Sequence, residues 1–306
     1  MRRPQRPIAD AYGLVRAADG PRLGTTRTQL QRQAASGHIE RPFRGVYRVG
    51  GGDAEHADRR AALAHLGDEA VAVLGSAAQV HRLQGLPRTW LPQLALPPGL
   101  ERRQRRGMEL RVWDLPPDHR TVLDEIPTTI MTRTLADVCR LLPRMRAVCL
   151  VDSALDQRRI GIDDLPDIRD LMAGMRGCRT GRASLDLARL GSQSPGETRV
   201  RLILTDAGLP PDALQVPVHD DNGTVTGYGD MGYELRNGRW IIIEFDGRSV
   251  HDRPEALLAD RHRQNAMQSR ARAILLRFAW EDTHAADRIP GVVGPILRDA
   301  GWSPRR

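Results

Sequence analysis

The apolar positions of the first 50 residues predict short helices followed by a β-hairpin. Residues 8–24 carry apolar side chains at helical spacing and predict one or two short helices. A further helix is expected from a cap at Thr25 to a break at Gly37. Two short β-like runs then flank a turn at Pro42–Gly45. This order predicts a winged helix-turn-helix, a fold that places its second helix in the major groove of DNA.

The middle of the chain predicts short helices and strands in alternation, with no internal repeat. Strands are expected at 109–113 and 120–130, and a helix is expected to begin at Thr132. The Gly- and Arg-rich stretch 174–184 is interpreted as a linker to the last region.

Longer apolar runs near the C-terminal end predict an α/β domain with a buried central sheet. A helix capped at Ser194 begins this region, and two strands follow it. A continuous apolar strand at 239–247, a helix at 255–271 and a second apolar strand at 273–280 complete the order α-β-β-β-α-β. The whole chain is therefore expected to be an α/β protein of the multidomain α+β kind. Its expected parts are a winged helix-turn-helix at 1–50, a mixed middle region at 51–190 and an α/β core at 191–306.

Positive charge is concentrated at the N-terminal end. The net charge is +8, and all 46 basic residues are Arg, with ten of them and only three acids in residues 1–48. A basic end on a nearly neutral body favours a phosphate-binding module, and a solvated basic tail is the plainer alternative. The Arg cluster at 102–106 is either a second phosphate contact or a solvated loop. The expected DNA contacts are Arg27, Gln31, Arg32, Arg41, Arg44 and Arg48.

Composition argues against a membrane or secreted protein. No apolar run approaches the roughly 20 residues of a membrane helix, and the N-terminus lacks the apolar stretch of a secretory signal. Cys139, Cys149 and Cys178 are odd in number and form no CxxC motif. We therefore expect a reduced, cytoplasmic protein without a disulfide framework.

Acidic residues lie at the end of an apolar strand and close to it. Glu244 and Asp246 are two apart, so their side chains project from one sheet face. Asp230 lies on the preceding strand and Glu197 on the first helix of the region. Buried acids need a partner, and a divalent cation, Mg²⁺ or Mn²⁺, is the simplest one. An arginine is the alternative partner, and the candidates are Arg201, Arg261 and Arg263.

The loop between the two acidic strands provides a geometric test. A two-residue Asn-Gly turn would pair Asp230 with Phe245 and point it away from Glu244. A three-residue loop or a bulge would place Asp230 opposite Glu244 or Asp246. A metal site therefore predicts an odd-length turn or a bulge at 236–238.

These acids, in this order, resemble the PD-(D/E)xK nuclease pattern. Gly247, His251, the helix with Asp260 and Arg263, and the strand LLRF resemble more narrowly the very-short-patch-repair branch, over about 194–284. The resemblance implies metal-dependent phosphodiester hydrolysis, with His251 moving a proton and Arg263 contacting the phosphate. Asp246 occupies the usual position of the catalytic Lys, which weakens the enzymatic interpretation, although that branch uses His instead. The candidate catalytic residues are Glu197, Asp230, Glu244, Asp246, His251 and Arg263, of which Asp230, Glu244 and Asp246 would hold the metal.

The N-terminal half resembles the AbiEi-type antitoxins of type IV toxin–antitoxin systems. The segments that carry this resemblance are TRTQLQRQAASG, RGVYRVG, GSAAQVHRLQGLP and TRTLADVCRLL. It implies a winged helix bound to operator DNA, and hence the alternative of an autorepressor with a catalytically degenerate nuclease fold. A nucleotidyltransferase-like toxin would then be its partner. Whether the chain forms a homodimer is left open.

Overall fold

The structure is a computed structural model, and the chain divides into two compact units, Met1–Leu141 and Leu142–Arg306. Both units mix helices and strands, which confirms the mixed α/β class. The predicted helix at 255–271, with His251 and Arg263, lies outside the described residues, as does the Arg cluster at 102–106. The structure describes residues 9–10, 12–50, 57–87, 91–100, 107–219, 223–247 and 273–304.

The first unit begins with a small antiparallel sheet that packs on one helix. Its strands have the order β1-β3-β2, and the helix lies between β1 and β2 in the chain. Leu30 of the helix is fully buried against Val15 and Tyr47 of the sheet. The elements are β1 (Leu14–Arg16), a 3-10 helix (Gly20–Leu23), α1 (Arg27–Ala35), β2 (Glu40–Phe43) and β3 (Val46–Arg48).

The prediction of one or two short helices at 8–24 is wrong for Leu14–Arg16, which form a strand, whereas Gly20–Leu23 form a short 3-10 helix. Leu14 and Val15 pair with β3, and both side chains are buried there. The helix cap also lies one residue later than predicted, because Thr26 accepts from the Gln29 N–H in a capping box. The break at Gly37 is confirmed by its left-handed φ of +74°.

The rest of the first unit is a five-stranded mixed sheet with order β6-β5-β4-β8-β7, flanked by helices. The predicted strands near 109–113 and 120–130 are present, the second as a hairpin, and the predicted helix begins at Met131. The elements are α2 (Ala57–Leu66), β4 (Val71–Ala72), α3 (Leu74–Val80), β5 (Gln93–Leu96), β6 (Glu109–Val112), a 3-10 helix (Pro117–His119), β7 (Arg120–Leu123), β8 (Ile126–Thr129) and α4 (Met131–Leu141).

The second unit is a four-stranded sheet with order β12-β11-β10-β9, in which only β11 and β12 run parallel. Helices α8 and α9 contribute to the apolar core on one sheet face, with Met231 and Ile243. Val216 and Ile242 form a second cluster. The elements are α5 (Arg144–Asp156), a 3-10 helix (Ile162–Asp164), α6 (Leu165–Asp170), α7 (Cys178–Leu185), α8 (Pro195–Asp206), β9 (Ala213–His219), β10 (Val225–Glu234), β11 (Trp240–Asp246), β12 (Ile274–Ala279), a 3-10 helix (Trp280–His284) and α9 (Arg288–Asp299).

Capping residues in the sequence predict the ends of α8 correctly, but the Gly- and Arg-rich composition at α7 led to a wrong prediction. The Ser194 hydroxyl accepts from the Glu197 N–H, Pro195 opens the helix and Gly208 follows it with a φ of +74°. The linker predicted at 174–184 is wrong, because Cys178–Leu185 is helical and buries Leu185. Burial of one face outweighs the low helix propensity of its glycine. In the described part of the chain, no helix has the length and apolar content to cross a membrane.

Candidate functional site

The basic residues of α1 lie on the side of the helix that faces away from its core. Leu30 is fully buried, whereas Arg27, Gln31 and Arg32 are exposed. This face therefore combines guanidinium and amide donors, which suit phosphate oxygens and base edges.

Two of the three candidate DNA-contacting arginines of the β2–β3 hairpin are exposed to solvent. Arg41 and Arg44 are exposed, and Arg44 lies in the two-residue turn between β2 and β3. Arg48 is half-buried and pairs with Glu40 at 3.1 Å and Asp58 at 2.6 Å. Its charge is thus engaged within the protein.

The turn between β10 and β11 has the odd length that a metal site requires. The strands pair from Met231 with Ile243 to Glu234 with Trp240, and the Leu235 N–H donates to the Arg239 carbonyl at 2.8 Å. The loop is therefore the three residues 236–238. Continued by one pair, this register places Asp230 across from Glu244.

Asp230 lies opposite Gln215 of β9. The register between β10 and β9 is continuous from Gly227 with Val218 to Gly232 with Ala213, and the register shift of this strand pair lies between Val225 and Gly227. Val216 and Leu214 belong to different apolar clusters, although two residues apart on a regular strand share a face. Gln215 has a left-handed φ of +51°, a conformation that costs about 1 kcal/mol or more in a non-glycine residue.

Asp230 lies near enough to Glu197 for its charge to act on that carboxyl. An oxygen of Asp230 accepts from the Phe245 N–H at 2.7 Å. Glu197, in the first turn of α8, is only 7% exposed, and its Oε2 accepts from the Gln193 N–H at 2.8 Å. Burial, and then the negative charge of Asp230, raise the pKa of Glu197 to about 7. Burial and the charge of Asp230 therefore both disfavour the ionised form of Glu197, and a cation bound there would favour it.

Glu244 has a cation of its own, which the sequence analysis missed. Its carboxylate is almost fully buried, and one oxygen accepts from Arg277 Nε at 3.0 Å and Nη2 at 2.8 Å. Arg277 faces Glu244 across the parallel β11–β12 pairing, and its Nη1 is 3.9 Å from Asp246. An Arg inside the apolar run AILLRFAW was the signal in the sequence.

Of the arginines proposed as partners, Arg201 is engaged elsewhere. Its Nη2 donates to Asp152 at 2.6 Å, and its other donors reach Ser192 and the Leu187 carbonyl. Arg261 and Arg263 lie outside the described residues.

The residues present fit a divalent cation on one side of this site. Asp230 and Glu197 could supply carboxylate oxygens, and burial together with the charge of Asp230 raises the pKa of Glu197, an effect that a bound cation would oppose. On the other side, Arg277 already compensates Glu244. Within the described residues, no group of three or more acidic, His or Cys side chains forms a preassembled metal site.

Glu197 is expected to make stability depend on pH. Its pKa is about 7 in the folded protein against an ordinary value of 4.5, so between these pH values the folded state holds a proton that the unfolded state has lost. The free energy of unfolding should therefore fall as pH rises from 5 to 8, by on the order of 3 kcal/mol. Urea unfolding across this range measures the effect. Glu197→Gln should remove the slope, and the exposed Glu234→Gln should not; an unchanged slope in Glu197→Gln would contradict the assignment.

Comparison with known proteins finds relatives without an assigned function. No family model matches the sequence. The chain is 28% identical over 250 residues to the uncharacterized proteins MT2308 and Rv2248 of Mycobacterium tuberculosis strains CDC 1551 / Oshkosh and ATCC 25618 / H37Rv. The match covers 79% of this chain and 86% of each relative. Since neither unit alone is that long, the similarity extends into both.

Proposed function

We propose that the chain is a nucleic-acid-binding protein whose second unit hydrolyses phosphodiester bonds with the help of Mg²⁺ or Mn²⁺. The observation that carries the proposal is the grouping of three acids: Asp230 lies across from Glu244 in the continued strand register, and its charge helps to raise the pKa of the buried Glu197. Irregular strands and raised carboxyl pKa values are both concentrated at functional sites.

The topology of each unit supports this proposal. In the first unit, the sheet order β1-β3-β2 with α1 between β1 and β2 agrees with a winged helix in which α1 is the recognition helix. In the second, helix α8, three antiparallel strands and the parallel strand β12 agree with the order of the nuclease core that the acids resemble.

The side chains of the second unit have distinct tasks in this proposal. The Phe245 N–H holds one oxygen of Asp230 and fixes its orientation. Glu197 Oε2 is engaged by the Gln193 N–H, so Oε1 is the atom that would hold or release a proton near neutral pH. Arg277 fixes the carboxylate of Glu244. A bound cation would activate water and stabilise the charge that develops on the scissile phosphate.

The direct test of hydrolysis uses the full-length wild-type protein. Supercoiled plasmid is incubated with it in EDTA, Mg²⁺ or Mn²⁺, and nicked product is measured. Nicking that requires the divalent ion is expected. Absence of cleavage with either metal, for DNA and for RNA, would refute the hydrolytic part.

DNA binding is tested on α1. Arg27→Gln and Arg32→Gln should each weaken duplex binding and reduce the slope of log affinity against log salt by about 1, because each removes one phosphate contact. Fluorescence anisotropy at several salt concentrations measures this. Arg82→Gln, another exposed arginine of the same unit, is the matched control. Equal behaviour of all three variants would refute the role of α1.

A second candidate is a DNA-binding autorepressor of the antitoxin type, with a nuclease fold that no longer cuts. The Arg277–Glu244 pair favours it, since the protein's own cation compensates a carboxylate that the nuclease pattern assigns to the metal. This function predicts operator binding that is unchanged by Asp230→Ala and Glu244→Ala. On the AbiEi resemblance, its partner would be a nucleotidyltransferase-like toxin.

A further inference from the structure

We infer that an arginine cage around Trp113 is a second phosphate-binding site of the first unit. We define the cage as Arg111, Arg133 and Arg140 together with the Trp113 indole. The inference rests on the proposed nucleic-acid binding and extends it beyond α1 and the hairpin to the edge strand β6. The ligand would be a backbone phosphate of a nucleic acid.

The cage is assembled from two elements. Arg111 lies on β6, and Trp113 directly follows that strand; Arg133 and Arg140 lie seven apart on α4. The guanidinium carbons of the three arginines are 5.8, 5.9 and 5.7 Å from the centroid of the half-buried indole ring. Each is within the distance at which a cation is attracted to an aromatic face.

Two of the arginines are held by one carboxylate inside the protein. Asp137 is fully buried and accepts from Arg133 Nε at 2.8 Å and from Arg140 Nη2 at 2.8 Å. Arg133 Nη1 is also 3.0 Å from His119 Nδ1. Arg133 and Arg140 are therefore held in place, and they contribute positive charge to the cage without being free to move towards a ligand.

Arg111 is the member of the cage that can reach a ligand. Its side chain is 36% exposed, and its only ion pair among the described residues is a long one of 3.6 Å to Glu109, which also accepts from Gln93. Its Nε is buried without a hydrogen-bond partner in the described part of the chain. A partly exposed guanidinium that lacks a close carboxylate partner in the described part of the chain, beside two further guanidiniums, is well suited to a phosphate group.

The hairpin lies beside the start of the same strand. A Cβ on Gly107 would be 3.7 Å from the Phe43 ring, and Phe43 stacks on His65 at 5.6 Å. His65 Nδ1 is 2.9 Å from the carbonyl oxygen of Arg44, at the hairpin tip. Arg111 lies four residues beyond Gly107, about 13 Å along an extended strand. That distance is about four base-pair steps of a duplex, so a nucleic acid on the hairpin would bring phosphates within reach of the cage.

The test measures duplex binding by Arg111→Gln at several salt concentrations, with Arg82→Gln as control. We expect affinity at low salt to fall about tenfold for every sequence tested, and the salt slope to decrease by about 1. Arg111→Lys, which keeps the charge, should retain the slope. If Arg111→Gln binds like wild type while Arg27→Gln is weakened, the cage is not a phosphate site and the proposed function stands.

A second measurement separates failure of the cage from failure of the proposed function. If the wild-type protein binds no nucleic acid, the proposed function fails, and thermal unfolding with inorganic phosphate decides about the cage. Phosphate is expected to raise the melting temperature of the wild-type protein but not that of Arg111→Gln. That result would assign the cage to a free ligand that carries a phosphate group. Equal responses of the two proteins would overturn the inference.

Discussion

Asp230→Asn is expected to reduce metal-dependent nicking by about a thousandfold and to leave duplex binding unchanged. The variant keeps an oxygen that can accept from the Phe245 N–H, so the strand pairing should persist. It removes the negative charge that helps to raise the pKa of Glu197. A lost carboxylate ligand corresponds to several kcal/mol of transition-state stabilisation, and about 4 kcal/mol is a thousandfold in rate. Plasmid nicking and anisotropy on the same preparations measure both outcomes.

Asp299→Asn is the matched control for this experiment, since Asp299 is an exposed acid at the end of α9 in the same unit. It should nick like wild type. An equal loss of nicking in both variants would mean that the removal of any negative charge from this unit changes how the protein associates with DNA. Full activity in Asp230→Asn would place the hydrolytic site elsewhere.

The pKa of Glu197 should also fall in Asp230→Asn, because the neighbouring negative charge is gone. The pH dependence of unfolding measures this change independently of cleavage.

Asp152→Ala is expected to lower the free energy of unfolding of the second unit by about 3–5 kcal/mol. Asp152 is almost fully buried and accepts from Arg201 Nη2 at 2.6 Å, Thr198 Oγ1 at 2.8 Å and the Arg189 N–H at 2.8 Å. Its removal leaves the buried charge of Arg201 without its carboxylate. The pair joins α5 to α8, the helix that positions Glu197, so a loss of order at the acidic site should accompany the loss of stability.

Urea unfolding of Asp152→Ala beside Asp206→Ala distinguishes a buried pair from an exposed one. Asp206 pairs with Arg144 in the same unit, but both side chains are largely exposed. Its loss should change stability by about 1 kcal/mol or less, because solvent screens surface pairs. Similar effects of the two substitutions would mean that the Asp152–Arg201 pair contributes no more than a surface contact.

Features set by neighbouring residues could be predicted from the sequence. The Ser194 cap with Pro195 and the break at Gly37 were predicted, because each depends on residues within one or two turns of chain. The length of the loop at 236–238 was left open between two and three residues, and the structure has three. The hairpin of β2 and β3 was also expected. Glu244 and Asp246 were found by their position at the end of an apolar strand, Asp230 by its place on the preceding strand and Glu197 by its place on the first helix of the region.

Features set by distant residues required the tertiary structure. The segment Leu14–Arg16 is a strand only because β3 pairs with it, and the local pattern suggested a helix. Arg277 meets Glu244 only through a parallel pairing across 33 positions of chain, so the acid alone gave no indication of its partner. The charge of Asp230 acts on Glu197, which lies 33 residues earlier in the chain, and the left-handed φ of Gln215 opposite Asp230 is not indicated by its residue type. The sequence by itself determined which chemical groups are present and which turns form. The packing of distant strands and helices decided which charges meet, because electrostatic interactions depend on separation in space and on burial.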